Sequence, residues 1–376
     1  MAWICAALVV VGFLISLPGT ALMRALGRRI GAMDSPGVDG QVKVDARRVP
    51  TTGGVAIFAG IAAPIAAGLI GAWLVDPSAV SALSETLADH LPGIRLKTPL
   101  VLTFLGCLTV LHLMGLIDDR KPLGAGPKML VMLGVSLAIV LVSPSRLLEF
   151  LTAYPGGFVV SLIVTVLWIT AVTNAFNFID NMDGLCAGVA AIAGTCFLIA
   201  TIITGQWFVA AMLALVVGSS LGFLVLNFPP ASIFMGDGGS LVLGFTLAFL
   251  TVQATYFGVD NSLVIAGNWY ATLMPLVVLA VPLYDFASVL AIRVSQGSSP
   301  FVGDLQHFSH RLVERGLSRR AAVMVILGIT MATGISGVSL ASLRPWQAAL
   351  VGLQTLVLLA VLGLFEHRAR SRETSR

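Results

Sequence analysis

Residues 157–183 read GFVVSLIVTVLWITAVTNAFNFIDNMD, and this stretch bears on both the fold and the chemistry. From Gly157 to Thr173 no residue is charged, and ~20 mostly apolar residues suffice to cross the ~30 Å hydrocarbon core of a bilayer. The run closes on Asn174, Asn177, Asp180 and Asp183, an amide or acid at every third position. Neighbouring members of such a ladder share a helix face. In a strict α-helix the four would drift half a turn from first to last, so the ladder predicts a tightened or broken helix end. Capping and turn formation account for Asp183-Gly184 alone, but not for two acids and two amides closing an apolar run.

The same kind of run recurs on either side. Eleven spans are expected, near 2–22, 53–75, 99–117, 128–143, 157–176, 185–204, 207–226, 239–257, 269–292, 321–341 and 346–365. The first has no basic residue before it and no Ala-x-Ala site, so it reads as helix one rather than a signal peptide. The runs are too long and too uniformly apolar for barrel strands. The expected fold class is therefore all-α, a polytopic integral membrane helix bundle. Composition agrees: 57% of the 376 residues are hydrophobic and 11% charged, against ~25% charged in soluble domains, and the mean hydropathy is +0.97. Disorder, nucleic-acid binding and a disulfide-stapled secreted domain are excluded. The four cysteines, Cys5, Cys107, Cys186 and Cys196, lie in apolar runs without a Cys-x-x-Cys pair, and read as core or lipid-facing residues.

Charge sets the expected orientation. With the N-terminus outside and the C-terminus inside, 18 of the 22 Lys and Arg fall on the inner side, and only Arg95, Lys97, Arg146 and Arg344 lie outside. That satisfies the positive-inside rule. Of the 18 acids, only Asp76, Glu85, Asp89, Glu149 and Asp260 then lie outside. The outer stretch 76–98 is amphipathic enough to lie on the membrane surface. Acids at membrane depth are costly and mark functional sites by default. Four polar motifs fall on the inner face: Asp118-Asp119-Arg120, Asn174 to Asp183, Gly236-Asp237-Gly238-Gly239, and Asp304 to Arg311. Ordinary loops would be alike on both faces. This one-sidedness predicts a shared site.

Each motif has a chemistry. Adjacent carboxylates at Asp118 and Asp119 repel unless a cation intervenes, and Mg²⁺ takes hard oxygen ligands while holding phosphate; a solvated helix end is the plainer alternative. In Phe234-Met235-Gly236-Asp237 the glycine allows close backbone approach to a phosphate or metal. Phe234 is either lipid-facing or a plate for a nucleobase. His307, His310 and Arg311 can clamp a pyrophosphate. Two His beside hard carboxylates suit Mg²⁺ better than zinc. Asp285 reads as structural, paired with Arg293 or a neighbour, and His112 as a satisfied packing residue.

The order Asp-Asp-Arg, Asn-Ala-Phe-Asn-x-x-Asp-x-x-Asp-Gly, Phe-Met-Gly-Asp-x-Gly-Ser and a His motif resembles the polyprenyl-phosphate N-acetylhexosamine-1-phosphate transferases, from about Asp34 to Arg311. Residues Arg47 to Gly54 resemble the family's basic-Pro-Gly-Gly segment. Eleven spans and the Arg-bearing His motif look more like the bacterial branch that uses UDP-GlcNAc than the ten-span branch that uses UDP-MurNAc-pentapeptide. The resemblance implies one membrane-embedded transferase domain over 1–376, with active-site loops about 23–52, 118–128, 176–185, 227–238 and 293–320 and a tail 366–376. These lie on the cytoplasmic face of the bacterial inner membrane. It implies transfer of GlcNAc-1-phosphate from UDP-GlcNAc to undecaprenyl phosphate with release of UMP, the first membrane step of an envelope polysaccharide pathway. Catalytic roles fall on Asp118, Asp119, Asp180 and Asp183, metal contacts on Asn177 and Asp237, and substrate contacts on Arg48, Lys128, Asn174, Asn227, Phe234, His307, His310 and Arg311. The implied cofactor is Mg²⁺, with Mn²⁺ as an alternative. The implied partners are the UDP-sugar, the polyprenyl phosphate and membrane lipid, with no nucleic acid and with a homodimer left open.

One position departs from the family. Its His motif reads His-x-His-His, and here Ser309 stands in His307-Phe308-Ser309-His310. That bears on the sugar and keeps UDP-GalNAc as an alternative donor. Direct attack by the lipid phosphate, its proton taken by Asp118, and double displacement through an aspartyl adduct both remain. An ion-coupled transporter, the rival from another class, needs acids near the midplane and repeated halves. Neither is legible here. The Asp-Gly-x-x-Ala-Arg signature of phosphatidyltransferases is also absent.

Overall fold

A computed structural model of the chain describes residues 1–33, 49–254, 273–297 and 306–373. Arg48, Asp304 and the segment from Asp34 lie outside the described residues. Ten described helices are long and apolar enough to cross a membrane, and the protein is a multi-pass helix bundle. In order they are α1 (Ala2–Ile30), α2 (Gly54–Leu74), α5 (Thr98–Asp118), α6 (Ala125–Val142), α7 (Gly157–Ile179), α8 (Leu185–Ile203), α9 (Trp207–Asn227), α10 (Asp237–Ala254), α14 (Arg319–Ser339) and α15 (Pro345–Glu373). Hydroxyls inside the spans turn back on the carbonyl four residues earlier, as Thr173 does on Ile169 at 2.7 Å and Thr246 on Val242 at 2.7 Å. Such a bond keeps the hydroxyl from being presented to lipid unpaired.

The stretch 76–98 forms two short helices, α3 (Pro77–Leu83) and α4 (Glu85–Leu96). They are tied back by Arg95 Nε donating to the Ala72 carbonyl at 2.8 Å. The ninth expected span is a correction. Its described part is two helices, α11 (Met274–Val278) and α12 (Ala280–Ser295), which break at Leu279 with φ −94° and ψ 16°. The reason is Pro282. It has no N–H to give the Val278 carbonyl, and its ring crowds that carbonyl. A short helix α13 (Phe308–Glu314) precedes α14.

Helix α10 is the axis of the bundle. Every residue from Gly238 to Gln253 is buried, packed against α2, α5, α7, α8 and α9. Lipid tails are as apolar as Leu, so helices associate in a bilayer through close packing rather than hydrophobic exclusion. Small residues at the head of α10 permit that approach. Bare backbone of Gly238 and Gly239 meets Gly54 of α2, and Asp237 and Gly238 meet Gly115 of α5. The heads of α2, α6, α8 and α10 and the ends of α5, α7 and α9 thus gather at one end of the bundle. Helix α1 joins them through Arg24, whose Nη1 donates to Ser232 Oγ at 3.1 Å.

Candidate active site

The site is built on the first residue of α10. Asp237 Oδ1 accepts from Asn177 Nδ2 of α7 at 2.9 Å. Its Oδ2 accepts from the Lys128 ammonium of α6. Lys128 also donates to Asp118 Oδ2 at 3.0 Å, while Asp118 Oδ1 accepts the Leu123 N–H at 2.8 Å. One ammonium therefore joins carboxylates from α5 and α10. Asn177 donates further to Ser240 Oγ at 3.0 Å, which fixes its amide.

Asp119 plays a different part from its neighbour. Its Oδ1 accepts the backbone N–H of Asp237 at 2.9 Å, and Oδ2 sits 3.5 Å from the N–H of Gly238. It caps α10 from the turn that ends α5, at a place where orphan N–H groups and the helix dipole favour a negative charge. Burial, with Asp237 and Asp118 nearby, still pushes its carboxyl up to about 7 against those hydrogen bonds. His112 supports the same turn, with Nδ1 2.7 Å from the Gly238 carbonyl and its ring stacked on Phe58 at 4.4 Å. It packs as the sequence suggests, and the bond to α10 is the added detail.

The Asn/Asp ladder ends α7 at Ile179, with Asp180 as the terminal residue at φ −78° and ψ 47°. The expected irregularity lies there. Asn174 and Asn177 occupy the last two turns of the helix, and Asp180 and Asp183 the turn beyond it. Among the described residues no donor or cation bonds to the Asp180 carboxylate. Removal from water, with Asp237, Asp119 and Asp183 facing it, holds that carboxyl well above the usual range. Asp183 Oδ2 accepts the Ala231 N–H at 2.9 Å. Asn227 is buried and staples two loops, accepting the Gly184 N–H at 2.9 Å and donating to the Ile233 carbonyl at 2.9 Å. Phe234 is anchored through its backbone, donating to the Pro50 carbonyl at 2.7 Å and accepting the Gly53 N–H at 3.0 Å.

The His motif reaches this cluster through Ser309 and Phe178. Ser309 Oγ donates to Asn181 Oδ1 at 2.5 Å, and Asn181 Nδ2 donates to the Phe178 carbonyl at 2.8 Å. Ser309 is 2% exposed, so this departure from the family motif ties the start of α13 to the turn after α7 rather than making an open contact. The Phe178 ring meets the His307 ring edge-on at 5.6 Å, with the Arg293 guanidinium 5.2 Å above it. Arg311 donates to Ser288 Oγ at 2.9 Å and to the Gln306 carbonyl. His310 stands 6.3 Å from His307, ring to ring.

Burial, helped by the His307 ring and the Arg319 guanidinium and opposed by Asp285, pushes the His310 imidazole from 6.5 down to about 4. A histidine depressed in the fold stays neutral there, while the unfolded chain takes up the proton first as pH falls. Stability contributed by His310 is therefore full above about 6.5 and is lost towards about 4. Melting temperatures across this window should fall in the wild type. His310→Gln should flatten the fall, and an unchanged slope would contradict the assignment.

A protein of Bacillus subtilis named "Probable undecaprenyl-phosphate N-acetylglucosaminyl 1-phosphate transferase" is 30% identical over 371 residues, covering 94% of this chain and 91% of that protein. The family description Glycosyl transferase family 4 matches residues 101–255. The chain belongs to glycosyl transferase family 4. A Yersinia pestis relative named undecaprenyl-phosphate alpha-N-acetylglucosaminyl 1-phosphate transferase is 26% identical, covering 89% of this chain and 84% of its own length. A Mycobacterium tuberculosis relative named decaprenyl-phosphate N-acetylglucosaminephosphotransferase is 28% identical, covering 92% and 84%. The family 4 match over 101–255 spans Asp118, Lys128, Asn177 and Asp237, the residues joined at the head of α10.

Among the described residues no three His, Cys, Asp or Glu side chains converge into a ready-made metal cage. What this family 4 chain offers is the donor-free carboxylate of Asp180, the Asp237 carboxylate and the Oδ1 of Asn177. Hard oxygens of that kind, with carboxylates outnumbering the one ammonium, suit a cation that completes its shell with water and substrate phosphates. The sequence reading undervalued Ser240 and Asn181, which orient site residues. It also left the partner of Asp285 open between Arg293 and a neighbour, and the structure pairs Asp285 with His307. An acid at the foot of an apolar span was the available signal.

Proposed function

We propose that this chain transfers GlcNAc-1-phosphate from UDP-GlcNAc to undecaprenyl phosphate with release of UMP, at the cytoplasmic face of the bacterial inner membrane and with Mg²⁺. The observation that carries the reading is the Lys128 ammonium shared by Asp118 and Asp237 at the head of a buried helix. The site lies at the end of a membrane bundle, where a water-soluble nucleotide and a lipid headgroup can meet. The names of the relatives support the transfer of N-acetylglucosaminyl 1-phosphate to undecaprenyl phosphate.

Phosphoryl transfer depends on positioning and on neutralising charge at phosphorus. Lys128 supplies a fixed cation beside both carboxylates. Asp118, held by Lys128 and the Leu123 N–H, is set to take the last proton of the lipid phosphate, whose second pKa is ~6. Asp119 keeps the head of α10 in register, and His307, His310 and Arg311 meet the diphosphate of the donor. Asp180, Asp237 and Asn177 would hold Mg²⁺, which would supply charge neutralisation for the phosphates and the leaving group. UMP release from UDP-GlcNAc by the detergent-purified protein should require both undecaprenyl phosphate and a divalent cation. Release without lipid, or none from either UDP-GlcNAc or UDP-GalNAc, would reject the reading.

A further inference from the structure

Asp285 lies on α12 and is 1% exposed. Its Oδ2 is 2.9 Å from His307 Nδ1, and its Oδ1 accepts the Phe308 N–H at 2.6 Å. One carboxylate thus grips two consecutive residues at the start of α13. A carboxylate accepts and does not donate, so the proton on the Asp285–His307 axis sits on Nδ1. Among the described residues His307 Nε2 has no hydrogen-bond partner, and it is not among the atoms sealed from solvent. The ring is confined by the edge of Phe178 at 5.6 Å and by His310 at 6.3 Å.

We propose that Asp285 is a positioning residue, which fixes the His307 ring with its proton on Nδ1 and presents Nε2 to the diphosphate of the nucleotide-sugar donor. The proposal rests on the reading of His307 as a donor-binding residue. A mere tie between α12 and α13 needs no charge. Arg311 already joins them through Ser288, and an amide would serve the Phe308 N–H as well. A buried carboxylate costs more than an amide unless it is paired. What the charge adds is a stronger acceptor for the Nδ1–H than an amide oxygen, so the ring and the direction of its Nε2 are fixed.

The test compares wild type, Asp285→Asn, His307→Gln and the double variant by UMP release, with each substrate varied in turn. Asp285→Asn should raise KM for UDP-GlcNAc by about tenfold or more and leave KM for undecaprenyl phosphate within about twofold of wild type. The double variant should be no worse than His307→Gln alone, because the two residues act as one unit. Wild-type kinetics in Asp285→Asn, additive losses, or an equal rise in the lipid KM would overturn the proposal and leave the transferase reading standing. A wild type that releases no UMP would overturn both. Should Asp285→Asn fail to fold, ¹⁵N spectra of the histidine rings in the wild type decide. An Nδ1-protonated His307 whose Nε2 signal moves on adding UDP-GlcNAc supports the proposal. The other tautomer, or a signal indifferent to the donor, rejects it.

Discussion

Lys128→Met should lower kcat for UMP release by about 10²–10³-fold, the scale seen when one preorganised donor is removed from a charged transition state. The methionine keeps the length of the stem and deletes the charge, so Asp118 and Asp237 face each other without their shared ammonium. Phosphate oxygens entering there would meet two bare carboxylates. Stability should change far less than activity. The three side chains are 15% to 23% exposed, and water relieves part of the repulsion that a sealed pair would suffer. Lys128→Arg keeps the charge on a planar fork that cannot reproduce a compact ammonium, so partial activity is expected. Steady-state rates beside melting temperatures separate the effects. If Lys128→Met turns over at the wild-type rate, the lysine is only a brace between α5 and α10.

Gly115→Ala should disable the protein by a different route. A Cβ at Gly115 would lie under 3.0 Å from the backbone of Asp237 and Gly238. Backbone at the head of a buried helix has no rotamer to escape into, so α5 must move off α10. Overpacking of this kind costs about 1–3 kcal/mol. The same shift pulls Asp119 from the N–H of Asp237 and Asp118 from Lys128, which sets the loss of activity above the loss of stability. Gly106 on the same helix is the control. A Cβ there meets nothing within 4 Å, so Gly106→Ala should leave melting temperature and rate unchanged. Equal behaviour of the two variants would show that the α5–α10 contact does not hold the site.

The pH response of His310, the lipid requirement of UMP release and the kinetic split of Asp285 test other parts of the same end of the bundle. Ser309 is a motif position whose surroundings only the fold reveals. Set against a His-x-His-His pattern, it looks like a place where a substrate-binding ring has been given up. Its hydroxyl is instead buried on Asn181.

The spans, the broken end of α7 and the polar motifs were legible in the sequence, because hydropathy and the spacing of acids are local properties. An apolar run must be helical in lipid whatever its neighbours do, and an Asn/Asp ladder cannot continue in a lipid-facing helix. The break at Leu279 was legible in principle through Pro282. Average hydropathy is blind to a missing N–H, so the run passed for one span. Tertiary structure decided the roles within each motif. Asp118 and Asp119 are adjacent and chemically identical, yet one meets Lys128 and the other caps α10. On a helix, successive side chains point about 100° apart, and only the packing of α5 against α6 and α10 says what lies in each direction. Asp285 finds His307, 22 positions away, for the same reason. Partners far apart in sequence are chosen by helix packing, which no local pattern encodes.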